Sequence, residues 1–180
     1  MSAPAINLRL ARLDELGVLR AINEDASALY AQIGILFEVP DTHPFALEEA
    51  ESWRQAVSTG RAWIAATDAD EPIGFAACSY VDDEPYLAQL AVRCAHVRAG
   101  VGTQLIDAVL RWSGAQPLWL TTYGHVTWNR PYYERRGFIV VPEVACGPEL
   151  RSILGAQREV LPLPEQRVAM RYPPQTSKAI

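Results

Sequence analysis

The chain has 180 residues, 49% hydrophobic and 21% charged, an ordinary composition for one globular domain with a real core. A formal net charge of −5 argues against general binding to nucleic acid or acidic membranes, though not against a small local basic pocket. Residues 1–10 hold no apolar run of signal length, and no segment approaches membrane-spanning length.

The elements follow from periodicity and punctuation. Residues 6–13 alternate apolar and polar side chains, a strand signal, and Asp14 suits the N-cap of a following helix. That helix places Leu19, Ile22, Ala26 and Leu29 on one face. Residues 32–44 lack a period and carry Gly34, Pro40 and Pro44, so a loop is expected. A second helix is expected over 45–59, stopped by Gly60. Strands are expected at 62–67 and 73–81, joined by a turn at 68–72, and a further strand at 84–93 after the acidic turn of Asp82 and Asp83.

The third helix has the clearest pattern, with Leu105, Ile106, Val109 and Leu110 at helical spacing and Gly114 as its stop. A strand at 118–123, a short helix at 131–136, a strand at 138–142, a helical stretch at 149–157 and a closing strand at 167–172 complete the series. Consecutive strands followed by alternating helices imply a mixed sheet flanked by helices. One domain over 1–180 is expected, its core about 6–172, with 173–180 a frayed tail.

The segment between the fourth strand and the third helix carries the chemistry. Gly100 and Gly102 allow close backbone approach to a ligand, and the helix behind them opens with free N–H groups and a partial positive charge. Together these make an anion site, most often for phosphate. A Rossmann dinucleotide site is disfavoured, because Leu105 stands where the third glycine belongs and the motif lies mid-chain. Cys78, Cys94 and Cys146 form neither a zinc pattern nor a disulfide framework. A cytoplasmic location and no metal are therefore expected.

Two segments resemble signatures of the GNAT superfamily of acyl-CoA-dependent N-acyltransferases. Residues 97–102, Val-Arg-Ala-Gly-Val-Gly, resemble its pyrophosphate-binding motif, with Val97 in place of the usual Gln or Arg. Residues 128–138 resemble its second signature, an Asn followed by Tyr-Glu-x-x-Gly-Phe. The element order is similar along most of the chain. The resemblance implies an α/β (α+β) fold with a mixed, mostly antiparallel central sheet flanked by helices. It also implies transfer of an acetyl group from acetyl-CoA to a primary amine, by direct attack in a ternary complex.

Site roles follow from the same resemblance. Backbone groups of Val97, Arg98, Ala99, Gly100, Val101, Gly102 and Thr103 are expected to hold the CoA pyrophosphate, with Arg98 adding a charge-assisted contact. Leu90, Ala91 and Val92 are expected to pair with the pantetheine arm, one backbone amide polarising the thioester carbonyl. Tyr133 corresponds to the general acid that protonates the leaving thiolate, with Tyr132 as the competing phenol. Asn129 either holds the pantetheine or caps the short helix.

Gln89 stands where many family members carry a glutamate base, and an amide cannot accept a proton at neutral pH. Asp82, Asp83, Glu84 and His125 are the alternative acceptors. Tyr30, Phe37, Trp128, Gln89 and His125 are expected to line the acceptor side, with Glu24 and Asp25 nearby. The acceptor is a small-molecule amine or a peptide N-terminus, and a monomer or homodimer is expected. The competing readings are a CoA-binding sensor without activity and a partner-binding module with a degenerate base.

Overall fold

The computed structural model describes residues 5–174, so the tail expectation falls outside the described residues from 175 onward. The strands are β1 (Asn7–Leu10), β2 (Ala62–Ala66), β3 (Pro72–Val81), β4 (Glu84–Val92), β5 (Leu118–Tyr123), β6 (Ile139–Val141) and β7 (Arg167–Tyr172). The helices are α1 (Leu16–Ala31), α2 (Pro44–Ser58), α3 (Val101–Ser113), α4 (Arg130–Arg135) and α5 (Pro148–Val160). The sheet order is β1-β2-β3-β4-β5-β7-β6. The β4–β5 pair is parallel, whereas β1–β2, β2–β3, β5–β7 and β6–β7 are antiparallel. This is the mixed, mostly antiparallel α/β architecture expected from the sequence. No helix among the described residues is long and apolar enough to cross a membrane.

The chain forms two compact units. The first comprises the residues up to Ser79 with Ala88–Arg111, and the second comprises Tyr80–Leu87 with the residues from Trp112 on. In the first unit β2 reads Ala-Trp-Ile-Ala-Ala, and all but Trp63 are buried. Small side chains on both faces of a strand let helices close over each. Leu19 and Ile22 of α1 and Trp53, Ala56 and Val57 of α2 pack with Ile64 and Phe75 in one apolar cluster. The Trp53 and Phe75 rings meet edge to face at 5.1 Å between centroids.

The entry to α1 differs from expectation. The first strand ends at Leu10, Leu13–Glu15 form a 3-10 turn, and the helix begins at Leu16, so Asp14 is not its N-cap. Glu15 organises this corner. Its buried carboxylate accepts from the Arg9 guanidinium at 2.7 and 2.9 Å, from Arg12 Nη2 at 3.0 Å and from the Arg12 backbone N–H at 2.9 Å. The Arg9 hydrogen bond, more than any other contact, lowers the Glu15 pKa below the ordinary carboxylate value.

A depressed carboxylate stabilises the fold above its unfolded pKa, and that stability is lost as pH falls through the folded value. Glu15→Gln should therefore cost about 2 kcal/mol at neutral pH. Denaturant melts of both proteins from pH 7 downward should show the difference shrinking on acidification. A difference independent of pH would mean that the charge on Glu15 contributes nothing.

In the second unit β5 is an inner strand, paired on both edges. It pairs with β4 at Tyr86↔Trp119 and Leu87↔Leu120, and with β7 from Leu118↔Tyr172 to Tyr123↔Arg167. Asp82 (φ 50) and Asp83 (φ 63) make the two-residue reversal from β3 to β4, a left-handed conformation that aspartate tolerates better than bulky residues. Asp82 also caps α5 from outside the helix. Its carboxylate accepts from the backbone N–H groups of Glu149 at 2.9 Å and Leu150 at 3.1 Å, while the Glu149 carboxylate accepts from the Asp82 N–H at 2.6 Å. These bonds satisfy N–H groups that no helix can satisfy within itself.

Candidate functional site

The glycine-containing turn lies in the first unit. After β4 the chain passes through a 3-10 turn at Cys94–His96, and Arg98 (φ 63) and Gly100 (φ 84) take left-handed conformations before α3 begins. Among the described residues, no acceptor is bonded to the backbone N–H of Arg98, Gly100, Val101, Gly102 or Thr103. Residues 97–100 are exposed. A row of unbonded donors at the positive end of a 13-residue helix is a receptor for an anion.

Packing fixes where this helix starts. Gly74 of β3 is buried, and a Cβ built there would lie 2.9 Å from Val101 Cγ1 and 3.0 Å from the Ala91 carbonyl oxygen. Only a glycine lets the first residue of α3 and the end of β4 approach β3 this closely. Val101, Leu105, Ile106 and Val109 are fully buried, so one face of α3 is held while its open end stays accessible. Ala91 is buried, and Leu90 and Val92 are half-buried.

The root of the turn is held from two sides. The Arg93 backbone N–H donates to the Ile73 carbonyl at 2.9 Å, and Arg93 Nε donates to the Pro72 carbonyl at 3.0 Å. From α1, the Asp25 carboxylate accepts from the Cys94 backbone N–H at 2.6 Å, and the Cys94 thiol donates to the Asp25 carbonyl at 3.0 Å. Gln89 is likewise engaged, its Nε2 donating to Asn23 Oδ1 at 2.6 Å. Tyr30 and Phe37 stand edge to face with centroids 5.1 Å apart.

The second unit carries Asn129 and Tyr133. Helix α4 is short, and its end is a Schellman motif: Gly137 (φ 93) donates to the Glu134 carbonyl and Phe138 donates to the Tyr133 carbonyl, both at 3.0 Å. The apolar contact that accompanies such motifs is here the Tyr133–Phe138 ring pair, 5.4 Å between centroids. The Gly-Phe of the second signature thus clamps the tyrosine. Tyr133 is buried. Tyr132 meets it edge to face at 5.2 Å, and the buried Tyr132 hydroxyl has no hydrogen-bond partner among the described residues.

Asn129 occupies the N-cap position of α4, and its carbonyl accepts from the Tyr133 N–H at 3.0 Å, but its side chain makes no capping hydrogen bond. The capping alternative is therefore not realised by the amide. Trp128 is partly exposed, and His125 is exposed with its ring 5.8 Å from that of Tyr123.

Two of the three carboxylates at the acidic turn are engaged, while Asp83 is exposed. Asp82 is committed to α5, and the Glu84 carboxylate accepts from the Trp119 indole N–H. Burial raises the pKa of all three thiols; at Cys94 the Asp25 carboxylate adds to the rise, and at Cys146 that of Glu143 does. A protonated thiol is a poor nucleophile. Sequence reading named Asp25 only as a neighbour of the acceptor side and passed over Asn23. Their partners lie 69 and 66 residues away, beyond any local pattern.

Fold, turn and signature together define a class. Residues 28–138, more than half of the chain, match the model of the acetyltransferase (GNAT) family. The chain belongs to this family. Solved structures share the fold at low identity. An acetyltransferase of the GNAT family from Staphylococcus aureus Mu50 is 13% identical with a TM-score of 0.68, over 93% of this chain and 98% of that one. The PaiA N-acetyltransferase of Thermoplasma acidophilum, solved with coenzyme A, is 16% identical with a TM-score of 0.60, over 94% and 99%. N-acetylglutamate synthase of Neisseria gonorrhoeae, solved with coenzyme A and N-acetyl-glutamate, is 18% identical with a TM-score of 0.66. That match covers 97% of this chain and only 36% of the synthase, so the chain spans about a third of that relative.

Proposed function

We propose that the chain acts as one N-acetyltransferase domain, moving an acetyl group from acetyl-CoA to a primary amine. The observation that carries this reading is the row of unbonded N–H groups from Gly100 to Thr103 at the start of α3. Their number and alignment suit a pyrophosphate, and the exposed Arg98 beside them supplies a cation. Coenzyme A bound to two structural relatives supports the same donor.

Acetyl-CoA supplies the activated acyl group. The amine nitrogen attacks the thioester carbonyl, a C–N bond forms and the C–S bond breaks; the nitrogen releases one proton to solvent water and the departing sulfur takes one up, so protons balance over the step. Tyr133 is assigned the proton delivered to the departing sulfur, since a phenol of pKa about 10 is neutral and able to donate at pH 7. Backbone groups of Leu90, Ala91 and Val92 are assigned the pantetheine arm, with Asn129 as a further contact.

Direct transfer is favoured because each thiol is held protonated. Gln89, already donating to Asn23, serves as a hydrogen-bond acceptor for the amine through its remaining carbonyl lone pairs and not as a base. The amine therefore reacts in its neutral form, and its own deprotonation sets the pH dependence of the rate. Tyr30, Phe37, Trp128 and His125 are assigned to the acceptor side.

Acetyl-CoA at a hundredfold excess over its dissociation constant should stabilise the fold by about 2.7 kcal/mol, read as a rise in melting temperature. No rise at millimolar acetyl-CoA or CoA would dispose of the donor assignment. With binding established, thiol release across a panel of amines distinguishes an acetyltransferase from a CoA-binding protein without turnover.

A further inference from the structure

We propose that Asp25 of α1 is a positioning residue for the donor turn. The proposal rests on the donor reading above. Cys94 opens the 3-10 turn that feeds the anion-binding segment, and its backbone N–H needs an acceptor from outside that turn. Asp25 supplies it at 2.6 Å and takes the Cys94 thiol hydrogen on its carbonyl at 3.0 Å, so one residue grips another twice. A charged acceptor makes the first of these bonds strong.

Among the described residues, the backbone past this clamp bonds within the turn, from Val97 to Cys94 and from Ala99 to His96, and to α3 through the Gly100 carbonyl and the Gln104 N–H. The next fixed point is Val101, buried against the place where a Cβ on Gly74 would stand. Residues 97–100 are thus an exposed span between two anchors. The donors that face the anion are backbone N–H groups, and their directions follow the backbone. Val101 fixes one end of the span, and Asp25 fixes the other through Cys94. Arg93 secures β4 to β3 but sits before the bend, so it does not substitute for Asp25.

Asp25 touches the root of the turn, not its N–H row, so its removal should weaken donor binding and leave the chemical step alone. Asp25→Ala should raise the KM and Kd for acetyl-CoA about tenfold at nearly unchanged kcat, the size expected for one charge-assisted hydrogen bond. Asp25→Asn keeps an oxygen that can accept the same N–H but loses the charge, so its KM and Kd should lie between those of Asp25→Ala and wild type. Glu15→Gln, in the same unit and distant in role, controls for general destabilisation: its melting temperature falls while its KM stays at the wild-type value.

A wild-type KM in both Asp25 variants, whatever their melting temperatures, would overturn the proposal. A fall in kcat at constant KM would also overturn it, by moving Asp25 into the chemistry. If Asp25→Ala does not fold, the Asp25→Asn variant, isothermal titration with acetyl-CoA and exchange rates of the 98–103 amides carry the test. Faster exchange and weaker binding in Asp25→Asn than in wild type support the clamp, and wild-type values for both overturn it. Absence of acetyl-CoA binding by the wild-type protein is a separate outcome, which removes the donor reading itself.

Discussion

A Tyr133→Phe variant should turn over about a hundredfold more slowly than wild type, the usual scale of one general-acid contribution, while its acetyl-CoA affinity hardly changes. The substitution removes an oxygen and nothing else. The ring stays against Phe138 and Tyr132, and the backbone bonds that close α4 do not involve the side chain. The ring packing is therefore retained, and the loss of rate should fall on kcat, as for a group acting in the transition state. Steady-state thiol release with both substrates varied is the measurement. Tyr132→Phe is the matched comparison, because its buried hydroxyl lacks a hydrogen-bond partner among the described residues. A rate lost in Tyr132→Phe and retained in Tyr133→Phe would transfer the acid to the neighbouring phenol. Wild-type rates in both would leave the leaving group protonated by water.

Gly100→Val should weaken acetyl-CoA binding about tenfold or more, because a left-handed conformation costs a side-chain-bearing residue roughly 1–2 kcal/mol and a β-branched one more. The cause is torsional and not steric. Gly100 has φ 84, and a Cβ built there meets nothing within 4 Å. The variant should thus fold, then relax its turn away from the conformation that aligns the N–H groups. Binding must restore that conformation, so the strain appears in the dissociation constant. Calorimetric titration with acetyl-CoA reads it directly. Unchanged affinity would show that the turn does not hold the donor.

Much of this molecule is readable one element at a time. The period-3.6 pattern of Leu105, Ile106 and Val109 locates α3, and strands stand at the expected Leu118–Tyr123 and Arg167–Tyr172. The exposed turn before α3 was legible because its signal is local: glycines, a basic residue and a helix start within seven positions. The start of α1 was not legible, since Asp14 has the chemistry of an N-cap, whereas Glu15 is held by the Arg9 and Arg12 guanidinium groups and by the Arg12 backbone N–H. The roles of Asn23, Asp25, Asp82 and Glu84 were hidden for a different reason. Each is decided by a partner 35 or more residues away, which composition and spacing do not encode.

The bond between the β3–β4 reversal and α5 bears on how the second unit assembles. Tyr80–Leu87 and the residues from Trp112 on are separate stretches of one unit. Asp82 joins them across 67 and 68 residues through the first N–H groups of α5. Closing so long a loop carries an entropic penalty that local helix formation avoids, and such contacts are made late in folding. The start of α5 and the hairpin tip thus share three hydrogen bonds, and fraying of either end breaks bonds that the other also needs.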